Sequence, residues 1–346
     1  MKKIVMVFLL VLFILQVVFA VKIGIVPEVL KPEMIRVHGN ELFVVEGAHI
    51  FIFSIKDLSL KKKFGKAGEG PGELRIVPNF TVGVTPHSDY IFAESIDKVV
   101  FYSKEGKLIR EIRKFARSAK VLPVGKNFVG KTRVVDKDNN VTSVLCIFDE
   151  NMGKKKELFS QRFPQRGINL DAIPDSLNFW VDDDKIFVEE SPKGFVIEVF
   201  DSEGNKLYQI AKKYNKVKVT EKDKEETFNR MKEDPLVKLQ GWENIKRIIK
   251  FHFPDTFPAV RDVLVTGKKI YVRTFNKKDG KDEFVVMDLK GNILKKMYQQ
   301  IGSESQIMVS MLGLGPKFYS IENNKFYYLT EDEGEEEWEL HVTNIK

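Results

Sequence analysis

Five charged residues close short apolar segments at equivalent places along the chain. Glu46 follows Leu42-Phe43-Val44-Val45, and Glu94 follows Tyr90-Ile91-Phe92-Ala93. Lys131 follows Asn127-Phe128-Val129-Gly130, Glu189 follows Lys185-Ile186-Phe187-Val188, and Arg273 follows Lys269-Ile270-Tyr271-Val272. Convergent polar groups in a concave mouth make a ligand site. The competing role for each is a local bond to its own turn, which strand-end polar residues often make. Other chemistry is thinly represented. Cys146 lies in an apolar strand and reads as core. His38, His49, His87, His252 and His341 share no register, so neither a zinc set nor a nucleophile–base pair emerges. The glycine-rich loop Gly65–Gly72 has a strand on each side, contains Pro71 and is followed by no Lys-Ser/Thr. A phosphate-cradling loop needs a helix N-terminus after it, so this one reads as a tight connection.

The elements that must position these residues form a repeat. Each apolar segment above is followed by a polar turn and a second apolar strand, such as Ile50–Phe53, Val99–Tyr102, Val144–Phe148, Val196–Phe200 and Phe284–Met287. Lys325–Tyr328 with Trp338–Val342 makes a sixth copy, in which Leu329-Thr330 interrupts the charged register. The next turn reads Ser103–Leu108, Asp149–Gly153, Asp201–Leu207 and Asp288–Leu294. Glycine supplies positive φ there, and the leading Asp supplies a side-chain turn bond. Gly106, Gly153, Gly204 and Gly291 are spaced by 47, 51 and 87 residues, the last interval holding one repeat plus an insertion. Four strands in under fifty residues, six times over, predict an all-β six-bladed β-propeller of four-stranded blades. The last copy lacks a fourth strand, and Val21–Val26 precedes the first copy without a blade of its own. That segment is expected to pair with the last blade and close the ring, removing an open edge.

Composition fits this architecture. Of 346 residues, 43% are apolar and 30% charged, enough for a sizeable core and too apolar for disorder. A single Cys excludes an intramolecular disulfide framework. Met1-Lys2-Lys3 and the sixteen-residue stretch Ile4–Phe19, apolar but for Gln16, precede Val18-Phe19-Ala20. Residues 1–20 therefore read as a cleaved signal peptide, too short to span a membrane and not followed by a lipid-accepting Cys. The mature chain, 21–346, is then expected to be secreted or periplasmic, monomeric, without a membrane span and without a nucleic-acid partner. Lys2 and Lys3 leave with the leader, taking two units from a net charge of +7.

Residues 212–258 break the repeat between blades 4 and 5. They open with the charged run Lys216–Glu226 and continue through Trp242, Ile245, Ile248 and Ile249 at helical spacing. Two short helices are expected, with Pro235 ending or restarting one. The insertion is expected on the channel-mouth face, where Trp242, Phe251 and His252 are the lid candidates; the alternative is that its apolar stripe packs on the blades.

The stretch Phe64–Ile112 resembles an NHL repeat, with Gly65–Leu74, Val77–Val82, Tyr90–Glu94, Lys98–Tyr102 and the Gly106 turn in place. Its Gly-x-Gly-Pro-Gly-Glu-Leu loop, Gly68–Leu74, and the insertion's end, Phe253–Val260, resemble the bacterial six-bladed β-propeller family with NHL-like repeats. The resemblance implies the fold, an exported location and a binding role. The leading expectation is a non-catalytic module presenting a peptide-, protein- or glycan-binding surface on the channel face, without a cofactor. The alternative is a metal-dependent hydrolase similar to lactonase- or lyase-type propellers, with calcium held on the axis by Glu46, Glu94 or Glu189.

Overall fold

The computed structural model describes residues 20–77, 80–114, 120–137, 141–162, 165–166, 168–175, 177–301, 317–332 and 337–345. The signal-peptide segment lies outside these apart from Ala20. Six four-stranded antiparallel sheets make the blades. Blade 1 runs Met34–His38, Glu41–Glu46, His49–Ser54 and Leu60–Phe64. Blades 2 to 5 start at Gly83, Val121, Leu177 and Asp262 and end at Arg113, Arg162, Ala211 and Gln299. Blade 6 contains Tyr319–Glu322, Lys325–Asp332 and Glu337–Asn344. Its fourth strand is Val21–Ile25, with Val21 opposite Val342 and Ile25 opposite Glu339, which closes the ring as expected.

The apolar runs are explained by what lies on both sides of each blade. Side chains alternate across a strand, and an inner blade strand has a neighbouring blade on each face. Leu42 and Val44 pack toward blade 6, while Phe43 and Val45 pack toward blade 2. Six clusters of this kind fill the six gaps between neighbouring blades and carry the core. Outer strands are less buried and carry more charge, as in Leu60-Lys61-Lys62-Lys63-Phe64.

The turn before each outer strand behaves as its sequence suggests. Asp201 Oδ1 accepts from the amides of Glu203 and Asn205, at 3.0 and 2.8 Å, and Asp288 Oδ1 accepts likewise from Lys290 and Asn292. Gly204 and Gly291 have φ of +77° and +87°. Blade 3 departs from the expected alignment: the positive φ, +65°, falls on Met152 and not on Gly153. Met152 is buried between blades 2 and 3, and its amide donates to the Asp149 carbonyl.

The insertion contains three helices, Glu221–Glu233, Pro235–Gln240 and Trp242–Ile248, not two. Pro235 begins the second, where a missing N–H is harmless. Thr220 caps the first helix through a reciprocal box with Asp223. The chain then runs into Lys250–His252, which pairs in parallel with Asn169–Asp171 from the connection between blades 3 and 4. Leu170, Ala172 and Met231 form a satellite core there, with Phe228, Trp242 and Phe251 against it. Sequence periodicity gave no sign of this sheet, because its strands are three residues long or shorter and one of them comes about eighty residues after the other two.

Candidate functional site

The start of each innermost strand lies beside the end of the second strand. Gly83 pairs with Glu94, Asn178 with Glu189, and Asp262 with Arg273, while the Lys131 amide donates to the Lys120 carbonyl. The charged register is therefore real as backbone geometry. It surrounds a cavity of about 670 Å³ at one end of the channel, lined by all six blades or their leading loops and by the first insertion helix. Asp223, Glu226, Thr227 and Arg230 of that helix line it, at the i, i+3, i+4, i+7 spacing of one helical face.

The five sequence candidates divide. Glu94, Lys131 and Arg273 line the cavity. Glu189 stands one bond back, accepting from the side chain of Asn178 at 3.0 Å, and Asn178 is itself a lining residue. Glu46 is not in the lining; its carboxylate accepts from the amides of Leu30 and Lys31 and fixes the loop leading into blade 1. Neither are Trp242, Phe251 and His252. Both rings pack on Phe228, with centroids 5.5 and 5.3 Å away, and His252 Nε2 lies 3.1 Å from Asn169 Oδ1. The insertion reaches the cavity through its first helix instead.

Most charges at the mouth are spent on one another. Glu94 accepts from Lys114 Nζ at 2.7 Å and from the Val121 amide at 2.8 Å. Burial nonetheless pushes its carboxyl up from the ordinary value. Arg273 Nε donates to Asp282 at 2.8 Å. Asp262 accepts from Lys317 Nζ at 2.8 Å and from the Tyr319 hydroxyl at 2.5 Å. Burial works against its charge, but Lys317 and those bonds hold its carboxyl below the usual range.

Arg36, Lys120 and Lys131 are different. Among the described residues none of the three has a carboxylate at ion-pair distance. They rest on aromatic faces. The Arg36 guanidinium is 4.5 Å from the Trp180 ring centre, and Lys120 Nζ is 4.9 Å from it. Lys120 and Lys131 lie 5.1 and 6.0 Å from Phe179. Burial lowers Lys120 to about 7, helped by the positive charges of Lys317 and Arg36 against the opposing pull of Asp262. Burial lowers Lys131 to about 8, with Glu189 and Asp262 pulling the other way. Sequence reasoning missed Arg36, Lys120, Lys317 and Asp262, which occupy first strands or the residues just before them. One signal was available: Arg36 interrupts the apolar strand Met34-Ile35-Arg36-Val37 and is 8% exposed.

The glycine-rich connection is bonded to itself and to the outer strands of blade 2. Gly70 N donates to Glu73, Gly72 N to Glu111, and the Gly70 carbonyl accepts from Lys98 Nζ at 2.6 Å. Its amides are thus partnered as in a crossover.

Ring, blades and mouth cavity define a six-bladed β-propeller. Residues 28–174 match a family model described as a 6-bladed beta-propeller. Among solved structures, the chain is similar to a member of the DUF4221 family from Bacteroides vulgatus ATCC 8482. Identity is 10%, coverage 94% of this chain and 97% of that one, and the TM-score 0.50, a likeness of fold alone. More distant are Hsv2 of Kluyveromyces lactis (11% identity, 89% and 96% coverage, TM-score 0.37) and BamB of Moraxella catarrhalis (11%, 89% and 71%, 0.31). No curated protein matches the chain.

Proposed function

We propose that this protein is an exported, monomeric, non-catalytic binding module that holds its ligand in the cavity between the ring and the first insertion helix. The observation that carries this reading is the cavity itself. Polar and aromatic side chains from every blade converge on a space of about 670 Å³, the size of a small-molecule or side-chain site. The glutamates that would serve the alternative, a metal-dependent hydrolase, are each committed locally: Glu46 to loop amides, Glu94 to Lys114 and Glu189 to Asn178. The basic, apolar start of the chain, Met1–Ala20, supports export.

The test is a thermal-shift screen against sugars, sugar acids, short peptides and divalent metals, run on the protein and on Thr85→Trp, which places an indole in the cavity. Ligand stabilisation that disappears in Thr85→Trp supports the reading. Stabilisation that survives it would move the site elsewhere. A calcium-dependent shift lost with chelator would favour the hydrolase.

A further inference from the structure

Besides Arg36, Lys120 and Lys131, three buried cations each come with a carboxylate, and two of those pairs reach the cavity itself through Glu94 and Arg273. Lys114, whose side chain is fully buried, has Glu94 at 2.7 Å; Lys98 has Glu111 at 2.9 Å; Arg273 has Asp282. Burying a charge is costly unless it is paired, so these pairs are what a folded chain needs for itself. At the cavity the rule is broken three times in one place. Arg36 and Lys131 are 8% and 7% exposed, Lys120 is partly buried, and all three line the same space. They come from blade 1, the loop into blade 3, and blade 3. The carboxylates whose charge reaches them are already engaged: Asp262 with Lys317 and Tyr319, Glu189 with Asn178, and Glu94 with Lys114. Trp180 and Phe179 soften the charge but do not neutralise it.

We propose that the cavity takes a small organic oxyanion, its carboxylate, phosphate or sulfate seated among Arg36, Lys120 and Lys131. A guanidinium and two ammoniums suit such a group, the guanidinium by its planar fork. The body of the ligand meets Phe92, Phe179, Phe257 and Phe275, which also line the space. The first insertion helix bounds the cavity, which favours a small molecule over a polymer. Burial depresses both lysines, and the positive charges of Lys317 and Arg36 push Lys120 the same way. This inference rests on the cavity being the binding site.

The experiment is calorimetry at low salt with citrate, inorganic phosphate and galacturonate, with galactose as the neutral match and an oligoglutamate peptide as the polymer. Citrate, phosphate or galacturonate is expected to bind, and galactose is not; the tightest of the three identifies the anionic group. Lys120→Met and Arg36→Met should each weaken binding at least tenfold, while the exposed control Lys63→Met leaves it unchanged. Lys120→Arg, which keeps the charge, should retain most of the affinity and shows that any loss is not misfolding. Binding of galactose as tight as galacturonate, unchanged in both Met variants, overturns the oxyanion assignment while leaving the cavity reading intact. Binding of oligoglutamate alone overturns the small-molecule assignment. No binding by any probe, with no ligand in the wider screen sensitive to Thr85→Trp, overturns the cavity reading itself.

Discussion

Lys120 Nζ lies 4.9 Å from the centre of the Trp180 ring, without a carboxylate partner among the described residues, and Arg36 shares the same indole. Trp180 is the second residue after Asn178 in the innermost strand of blade 4, so a ring from one blade supports cations delivered by blades 1 and 3. That arrangement ties the fold's closure to the charge of its cavity, and the charge has a measurable consequence.

The free protein should gain stability as pH rises above 7. Lys120 is lowered to about 7 in the folded chain, against an ordinary value of 10.5. Between those values the unfolded chain holds the proton and the folded chain does not, so unfolding free energy increases with pH. Below about pH 7 both states are protonated and this contribution is flat. The slope is at most about 1.4 kcal/mol per pH unit for each such lysine, and Lys131 adds a similar window above about 8. Denaturant titrations at pH 7 and pH 9 should show the rise, and Lys120→Met should reduce it. An unchanged slope in that variant would show that Lys120 titrates normally.

Glu94→Gln should destabilise the ring and leave any metal response unaltered. Glu94 bonds Lys114, whose side chain is fully buried, and also holds the Val121 amide that starts blade 3. Removing one partner of a buried pair leaves the other charge uncompensated and costs about 3–5 kcal/mol. The double variant Glu94→Gln, Lys114→Met should recover part of that loss. Chemical denaturation of Glu94→Gln, Lys114→Met and the double variant gives the coupling directly, and a Glu94→Gln variant as stable as the parent would refute the pairing.

The contrast between Glu94 and Glu46 shows how far the sequence was legible. Both end a second strand, and both were visible as members of one register. The blades themselves could be read because each inner strand is apolar on both faces, and because Ser103, Asp149, Asp201 and Asp288 mark the turns. Which end-of-strand charge enters the cavity depended on the preceding loop. Leu30 and Lys31 offer two amides to Glu46, whereas Glu94 meets Lys114 from the end of its own blade. Lys120 and Lys317 were illegible for another reason: each lies in a connection just ahead of a first strand, where a lysine normally reads as solvated surface.

Gly291→Ala should cost more than an ordinary surface substitution. Gly291 has φ of +87°, and an added Cβ would fall 2.5 Å from Ile210 Cγ2, on the outer strand of the preceding blade. Gly106 and Gly204 press on Phe64 and Leu158 in the same way, so this turn is a recurrent blade-to-blade contact. Strained backbone and overpacking each cost about 1–3 kcal/mol. Gly39→Ala is the matched control, because its φ is +60° but nothing lies within 4 Å of the added carbon. A larger loss of melting temperature for Gly291→Ala than for Gly39→Ala confirms the contact.

Removing residues 21–26 should open the ring. Those residues supply the outer strand of blade 6, the Val26 amide donates to the Trp338 carbonyl, and Lys22 pairs with Glu339. Their loss bares the edge of Glu337–Asn344, and an unpaired edge invites pairing with another chain. Light scattering should report association of the truncated protein at concentrations where the parent stays monodisperse. A monodisperse truncation with an unchanged melting point would mean that blade 6 is stable with three strands.

Phe228→Ala should loosen the insertion while sparing the ring. Phe228 touches Trp242, Phe251 and Phe253 with centroids 5.2–5.5 Å apart, and this cluster is separate from the six that join the blades. Truncating a fully buried phenylalanine costs about 3–5 kcal/mol, and the half-buried Phe228 should cost less than that. Here the loss should fall on the local stability of the first insertion helix, which that ring anchors to Leu170 and Ala172. Limited proteolysis should therefore cut within 212–258 in the variant before it cuts the parent, while the main thermal transition shifts little. Because the same helix bounds the cavity through Thr227 and Arg230, oxyanion affinity should fall together with the protection. Earlier cleavage with undiminished affinity would show that the ring alone makes the site, and a main transition lowered as far as the local one would show that the insertion belongs to the core of the propeller.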